Sequence, residues 1–331
     1  MSEPIILYTF QQPLLERLVE QVGLRQTLKY ASTCRSHALV RKWLIEHCAL
    51  VDHRHVSELQ ERGIYPKYVL AIADTLDDLR ALPAVVTHLK FGLSFNELIE
   101  NATLPPKLTH LTFGEDFNQT LVDIALPATL THLTFGEDFN QTLDNLTLAP
   151  NLTHLTCGDH FKQPLNNMTL PSTLKHLQFG VHFNRPLDNG TLPPNLTHLT
   201  FGFSFDQPLD NVTLPPTLTH LEFGYDFNQS LDKVTLPSTL KHLTFGYQYN
   251  QSLDKVTLPS MLTHLIFTGR YDQPLDNVTL PSMLTHLTFG SWFNQPLKDV
   301  TLPPALEHLT ISANYRHSLH NLPSHIVVVR T

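Results

Sequence analysis

Cysteine is nearly absent from this chain: Cys34, Cys48 and Cys157 are the only three in 331 residues. Thiols so few and so scattered make neither a disulfide framework nor a zinc site, and they point to a reducing compartment, the cytoplasm or else the nucleus. Apolar runs of 18 residues are missing too, so no segment reads as a membrane-spanning helix. The start, Met1-Ser2-Glu3-Pro4, has neither the basic region nor the apolar stretch of a secretory leader. Positive charge is scarce, with 22 Lys and Arg against 30 Asp and Glu, a net charge of −8. A nucleic-acid-binding surface needs clustered cations, so that class is disfavoured. Glycine is thin at 13 residues, and no phosphate-cradling glycine loop, nucleophile elbow or His-Glu metalloprotease motif occurs. The expectation is a protein that is not an enzyme and carries no cofactor.

What the chain does have is one 22-residue unit repeated eleven times between Leu82 and Asn321. Its cleanest copy opens Leu236-Pro237-Ser238-Thr239-Leu240-Lys241-His242-Leu243-Thr244-Phe245-Gly246. A period of this length marks a solenoid, in which no unit can bury its apolar face alone. In the third repeat the apolar slots are Leu126, Leu130, Leu133, Phe135, Phe139, Leu143 and Leu146. Leu130-Thr131-His132-Leu133-Thr134-Phe135 fits L-x-x-L-x-L, the strand of a leucine-rich repeat. Alternation along that strand sends Leu133 and Phe135 inward and leaves His132 and Thr134 on the concave sheet face. Gly136 is expected to close the strand through a positive-φ bend, and Asn140 to bond turn backbone. Proline at Leu126-Pro127 blocks helix, so the far side of each coil should be extended or turn-like.

The consensus Leu-Pro-x-x-Leu-Thr-His-Leu-Thr-Phe-Gly-x-x-Phe-Asn-Gln-Pro-Leu resembles the FNIP repeat, a leucine-rich-repeat relative of social amoebae and of giant viruses that infect amoebae. The resemblance covers about three quarters of the chain. Departures are the inverted Ala149-Pro150, the glycine displaced at Thr268-Gly269, and Ile311-Ser312-Ala313 in the last unit. The tail from Leu322 to Val329 reads as a half-repeat that adds a capping strand. The fold expected is an α+β repeat protein: a leucine-rich-repeat-like parallel β solenoid of about eleven coils over residues 66–331, behind a small helical module over residues 1–65. Tyr68–Ala73 should be its first strand. If the chain is viral, its location is the host cytoplasm.

Two readings of residues 1–65 stay open. Helical spacing at Leu14, Leu15, Leu18, Val19 and Val22 suits a cap over the end of the solenoid. The same stretch resembles an F-box, with Pro13, Leu14, Leu18, Leu28 and Cys34 at its docking positions. That resemblance implies binding of a Skp-type linker of a cullin ubiquitin ligase, with the repeats recruiting substrate. The motif is incomplete, since Gln12-Pro13 stands where Leu-Pro is usual and His37 where tryptophan is.

A histidine fills one slot of every repeat, from His88 to His308. A linear ladder supplies at most two convergent ligands, so it reads as a structural or interaction feature, with His198, His220 and His242 at its centre, and not as a metal site. An aspartate slot (Asp188, Asp210, Asp232, Asp254, Asp276) has Lys233 and Lys255 beside it and reads as a solvated, charge-interleaved face; it lacks the wrapped oxygens calcium needs. Asn-x-Thr triplets such as Asn151-Leu152-Thr153 follow from the repeat's composition. The two positions after the strand glycine vary freely, unlike the framework slots. Phe203, Tyr225 and Tyr247 are consecutive there, and Trp292 lies further along. They read either as partner-binding anchors or as covers for neighbouring coils. Function is expected to be protein–protein recognition, as a ligase adaptor or as a stand-alone scaffold.

Overall fold

The computed structural model describes residues 50–100, 102–144, 146–165, 168–187, 192–320 and 322–331. One 14-stranded sheet runs the length of the molecule, its strands in chain order and every pairing parallel. It starts with β1 (Leu50–Asp52), a 3₁₀ turn (His53–His55), α1 (Val56–Glu61), β2 (Tyr68–Ala73) and α2 (Leu76–Arg80). Tyr68–Ala73 is a strand as expected, but it is the second and not the first, because Leu50–Asp52 pairs in front of it. Eleven strands follow, β3 (His88–Phe91) to β13 (His308–Ile311), and each opens on the repeat histidine. The last is β14 (Val327–Arg330), paired on β13 as the tail half-repeat predicted.

Register follows from the repeat itself. His132 pairs with His154 and Leu133 with Leu155, so equal slots sit side by side along the array. The apolar slots then merge into one core. Leu130, Leu133, Phe135, Phe139 and Leu143 are all at most 4% exposed, and Leu126 is half-buried at its rim. Phenylalanines stack within a coil (Phe135 on Phe139, 4.1 Å) and between coils (Phe139 on Phe161, 6.3 Å). No helix occurs on the far side of the described repeats. There the proline carbonyl closes a turn, as where the Leu130 N–H donates to the Pro127 oxygen at 2.9 Å.

The strand-closing glycines have a different cause from the one expected. Gly63 is the one described glycine with positive φ. A β-carbon on Gly136 would lie 1.7 Å from the Gly114 carbonyl oxygen, and the same clash recurs from coil to coil. Close approach of stacked backbones, not a left-handed bend, selects glycine there.

Asn140 also does more than finish a turn. Its Oδ1 accepts the Lys162 N–H at 2.9 Å and the Gln163 side-chain amide at 3.1 Å, and its own N–H donates to the Asn118 carboxamide at 3.0 Å. Asparagine or aspartate at this slot ties each coil to the next along most of the array. The coil holding Lys162 is the exception, for an ammonium cannot accept. The same coil carries Cys157 in an aromatic slot, and full burial pushes that thiol up to about 12, away from reactive thiolate.

Three tyrosines, Tyr249, Tyr271 and Tyr315, take phenylalanine slots in the core. The hydroxyls of Tyr249 and Tyr271 are buried with no hydrogen-bond partner among the described residues, whereas the Tyr315 hydroxyl donates to the Gln295 carbonyl at 2.9 Å. Desolvation raises both unpartnered phenols well above the ordinary tyrosine range. Tyr249→Phe and Tyr271→Phe should each raise stability by about 1 kcal/mol, since each removes an unsatisfied polar group from the core. Thermal melts of the two variants and the double variant check this. A loss of stability would mean that the hydroxyls are satisfied.

Candidate protein-interaction surface

Two surfaces carry the repeat's polar and variable side chains. On the sheet face the histidines form one continuous stack. Neighbouring imidazoles lie nearly parallel with centroids 4.0–4.6 Å apart from His88 to His308, and the three central residues predicted as contacts, His198, His220 and His242, are 4.0 and 4.2 Å apart. Parallel rings cannot converge on one ion, and no group of three potential metal ligands occurs among the described residues.

A threonine precedes eight of the eleven histidines and fixes the ring; Lys175, Lys241 and Glu307 stand before His176, His242 and His308. Thr109 Oγ1 donates to the Thr87 carbonyl at 3.0 Å and lies 2.9 Å from His110 Nδ1. A hydroxyl has one hydrogen, already used, so Nδ1–H donates to Oγ1 and Nε2 is the acceptor. The arrangement recurs at Thr131–His132, Thr153–His154, Thr197–His198 and Thr219–His220. Burial first and neighbouring imidazoles second depress the rings: His88, His132, His154, His176 and His198 fall to about 4 and His110 to about 3. His220, His242 and His264 are lowered for the same reasons. The rings from His88 to His264 are therefore neutral at pH 7.

The second surface is the edge just after the strands. Here each coil offers two variable residues, and a recurring backbone bond pins them. The N–H of the second residue donates to the carbonyl of the first residue one coil earlier, at 2.7–2.9 Å from Asp116 on Leu93 to Arg270 on Tyr247. Because no side chain takes part, identity is free while position is held. Phe203, Tyr225 and Trp292 are 47%, 36% and 57% exposed, and Tyr247 is half-buried. Phe203 stacks on Tyr225 at 4.4 Å and Tyr225 on Tyr247 at 4.8 Å, each pair within 5° of parallel. The rings cover one another's faces and leave their edges outward. The aromatics cover one another in part, and a ridge of ring edges remains exposed.

Arg270 belongs to this surface and sequence reasoning missed it. Its guanidinium lies 5.8 Å from the Tyr247 ring and 5.6 Å from the Trp292 ring, and Trp292 Nε1–H donates to the Tyr247 hydroxyl at 3.3 Å. The available signal was the displaced glycine. A β-carbon on Gly269 would sit 2.5 Å from Tyr247 Cδ2, so the shift clears room for that ring. On the aspartate stripe Lys233 pairs with Asp210 at 3.2 Å and Lys255 with Asp232 at 3.9 Å, the charge-interleaved face expected; Asp188 lies outside the described residues. So do the proposed linker-docking residues Pro13, Leu14, Leu18, Leu28 and Cys34.

Fold and surface together define a leucine-rich-repeat-like parallel solenoid, an architecture typical of protein-interaction scaffolds. The chain belongs to the FNIP repeat family, whose model matches residues 79–116, 95–138, 139–182, 183–226, 205–248, 227–269, 249–292, 271–314 and 293–330. Among solved structures it is similar to the giant-virus protein CroV588, described as a novel circular LRR protein structure. Identity is 42% and the TM-score 0.73, over 80% of this chain and 40% of that one. This chain therefore spans less than half the length of that protein. An internalin (InlF) from Listeria monocytogenes matches at 15% identity and a TM-score of 0.40, over 77% of this chain and 88% of that one. No curated protein matches. No helix among the described residues is long and apolar enough to cross a membrane.

Proposed function

We propose that this chain is a non-catalytic protein-recognition scaffold that engages its partner along the edge after the strands, anchored by Phe203, Tyr225 and Tyr247. One observation carries the reading: a backbone-pinned edge that packing leaves free to vary presents a row of exposed, pre-stacked aromatics. Anchors already ordered lose little conformational entropy on binding, which favours them as hot spots. The triple variant Phe203→Ser, Tyr225→Ser, Tyr247→Ser should lose at least tenfold in partner affinity with an unchanged circular dichroism spectrum. Loss instead on replacing His198, His220 and His242 by glutamine, with the triple variant binding normally, would move the contact to the sheet face.

The adaptor reading is a second, finer proposal. It rests on the F-box-like residues Pro13, Leu14, Leu18, Leu28 and Cys34, and it places the protein in the cytoplasm, host cytoplasm if viral. In that reading a Skp-type linker co-purifies with the full chain and is lost on Leu18→Asp. A folded chain that fails to bind the linker is a stand-alone scaffold.

A further inference from the structure

The aromatic ridge occupies only half of the edge. Before it, in three consecutive coils, the same two positions hold Glu115 and Asp116, then Glu137 and Asp138, then Asp159. The first four are exposed and Asp159 is half-buried. The one ion pair there is Asp138 with His160 Nδ1 at 2.8 Å, and Glu115, Asp116 and Glu137 make none with any described residue. Adjacent parallel strands set these carboxylates about 4.8 Å apart, where like charges oppose one another. The chain has a ready remedy and uses it elsewhere: on the aspartate stripe a lysine from the next coil answers each of two acids. At this edge it does not. Among the described residues Asp138 bonds His160 and Asp159 Oδ1 accepts the Val181 N–H at 3.4 Å, but the backbone bonds that hold the edge make no use of Glu115, Asp116 or Glu137 side chains, so packing does not account for those three acids.

We infer that the edge takes an extended cationic segment of a partner protein, its Lys and Arg side chains on the acidic half and its apolar side chains on the aromatic half. This rests on the edge being the contact surface, as proposed above, and adds the chemistry of the partner. The order of the surface sets the order of the segment. From Glu115 to Tyr247 is six coil steps, roughly 29 Å at 4.8 Å per step, and an extended chain covers that in about nine residues. Basic and apolar residues must therefore be segregated, about six residues apart. Nucleic acid is repelled by the same carboxylates.

The test uses the full chain and two fluorescent nine-residue probes of one composition. One carries three lysines at one end and two leucines at the other; a reversed copy covers the opposite chain direction. The second probe interleaves the same residues. Anisotropy titration at 50 mM and 200 mM salt should show the segregated probe, in one direction, binding at least tenfold more tightly than the interleaved one, and weakening with salt. The variant Glu115→Gln, Asp116→Asn, Glu137→Gln, Asp138→Asn should reduce it to the interleaved level, as should the triple serine variant. That charge-neutral variant should also melt higher than the parent at low salt, a readout that needs no ligand. Equal affinity of the two probes, or binding indifferent to the neutralised acids, overturns the cationic partner. If the triple serine variant still weakens a natural partner in that case, the edge remains the contact surface and only the partner class is wrong. If neither variant weakens any partner, both fall.

Discussion

Gly136→Ala should cost the fold about 3 kcal/mol or more, at or beyond the top of the usual range for an overpacked core site, because the obstacle is the backbone of the preceding coil. The new methyl would meet the Gly114 oxygen at 1.7 Å, its carbonyl carbon at 2.5 Å and Glu115 Cα at 3.1 Å. A flexible side chain could swing away, but these atoms cannot. Asp138 N–H holds the Glu115 carbonyl at 2.9 Å, and Phe139 N–H reaches the Gly136 carbonyl at 3.3 Å. Relief therefore requires two coils to separate, which breaks the phenylalanine stack and the Asn140 bridge together. In a solenoid, each unit is stable through its neighbours, so the array should lose cooperativity at this joint. Gly63→Ala is the control: that glycine has φ of 65° and nothing within 4 Å, so the alanine costs only backbone strain, about 1 kcal/mol. Urea unfolding of both variants decides the matter. Equal losses would show that the coils can part cheaply.

That glycine also marks how far the sequence could be followed. Slots and strand ends were legible because a period of 22 residues aligns equal positions, and each His-Leu-Thr became a strand in matching register. Anything decided between coils was harder to see. Gly136 looked like a bend residue because its own neighbours in sequence give no hint of the Gly114 carbonyl above it. Asn140 looked like a turn former, although its partner is one coil further on at Lys162. Arg270 was overlooked because its cation–π contacts span two coils, and the shifted Thr268-Gly269 read as noise in the repeat. The aromatic row succeeded for the opposite reason: identical slots in consecutive coils must be adjacent in space. Exposure was the one property that periodicity left undecided, and it differs along the row, from half-buried Tyr247 to Trp292 at 57%.

Acid should destabilise this protein over a window set by the histidine ladder. The folded rings from His88 to His264 titrate below the unfolded value of about 6.5, with His88 and His132 near 4 and His110 near 3. A depressed histidine favours the fold while both states are neutral, so its stability is fully present above pH 6.5. As pH falls, the unfolded chain takes up protons first and the folded one resists, until the folded rings charge near pH 4. The loss therefore starts higher than repulsion within the folded stack would require. A shielded ring would contribute about 2 kcal/mol between pH 7 and 5, and roughly half that after allowing for its solvent-facing side. Six rings depressed to about 3 or 4 then remove on the order of 5 kcal/mol, comparable with the whole stability of many domains. Asp52, held down to about 2 by Arg54, and Asp78, lowered by its bonds to Thr75, release their contributions only at lower pH. Denaturant unfolding at half-unit steps from pH 7.5 to 4.5 should show several protons taken up on unfolding. Replacing His110 by glutamine should reduce that uptake by about one proton, near 1.4 kcal/mol per pH unit in the slope. A flat profile, or a slope unmoved by the substitution, would mean that the stacked rings are protonated as readily in the fold as in the unfolded chain.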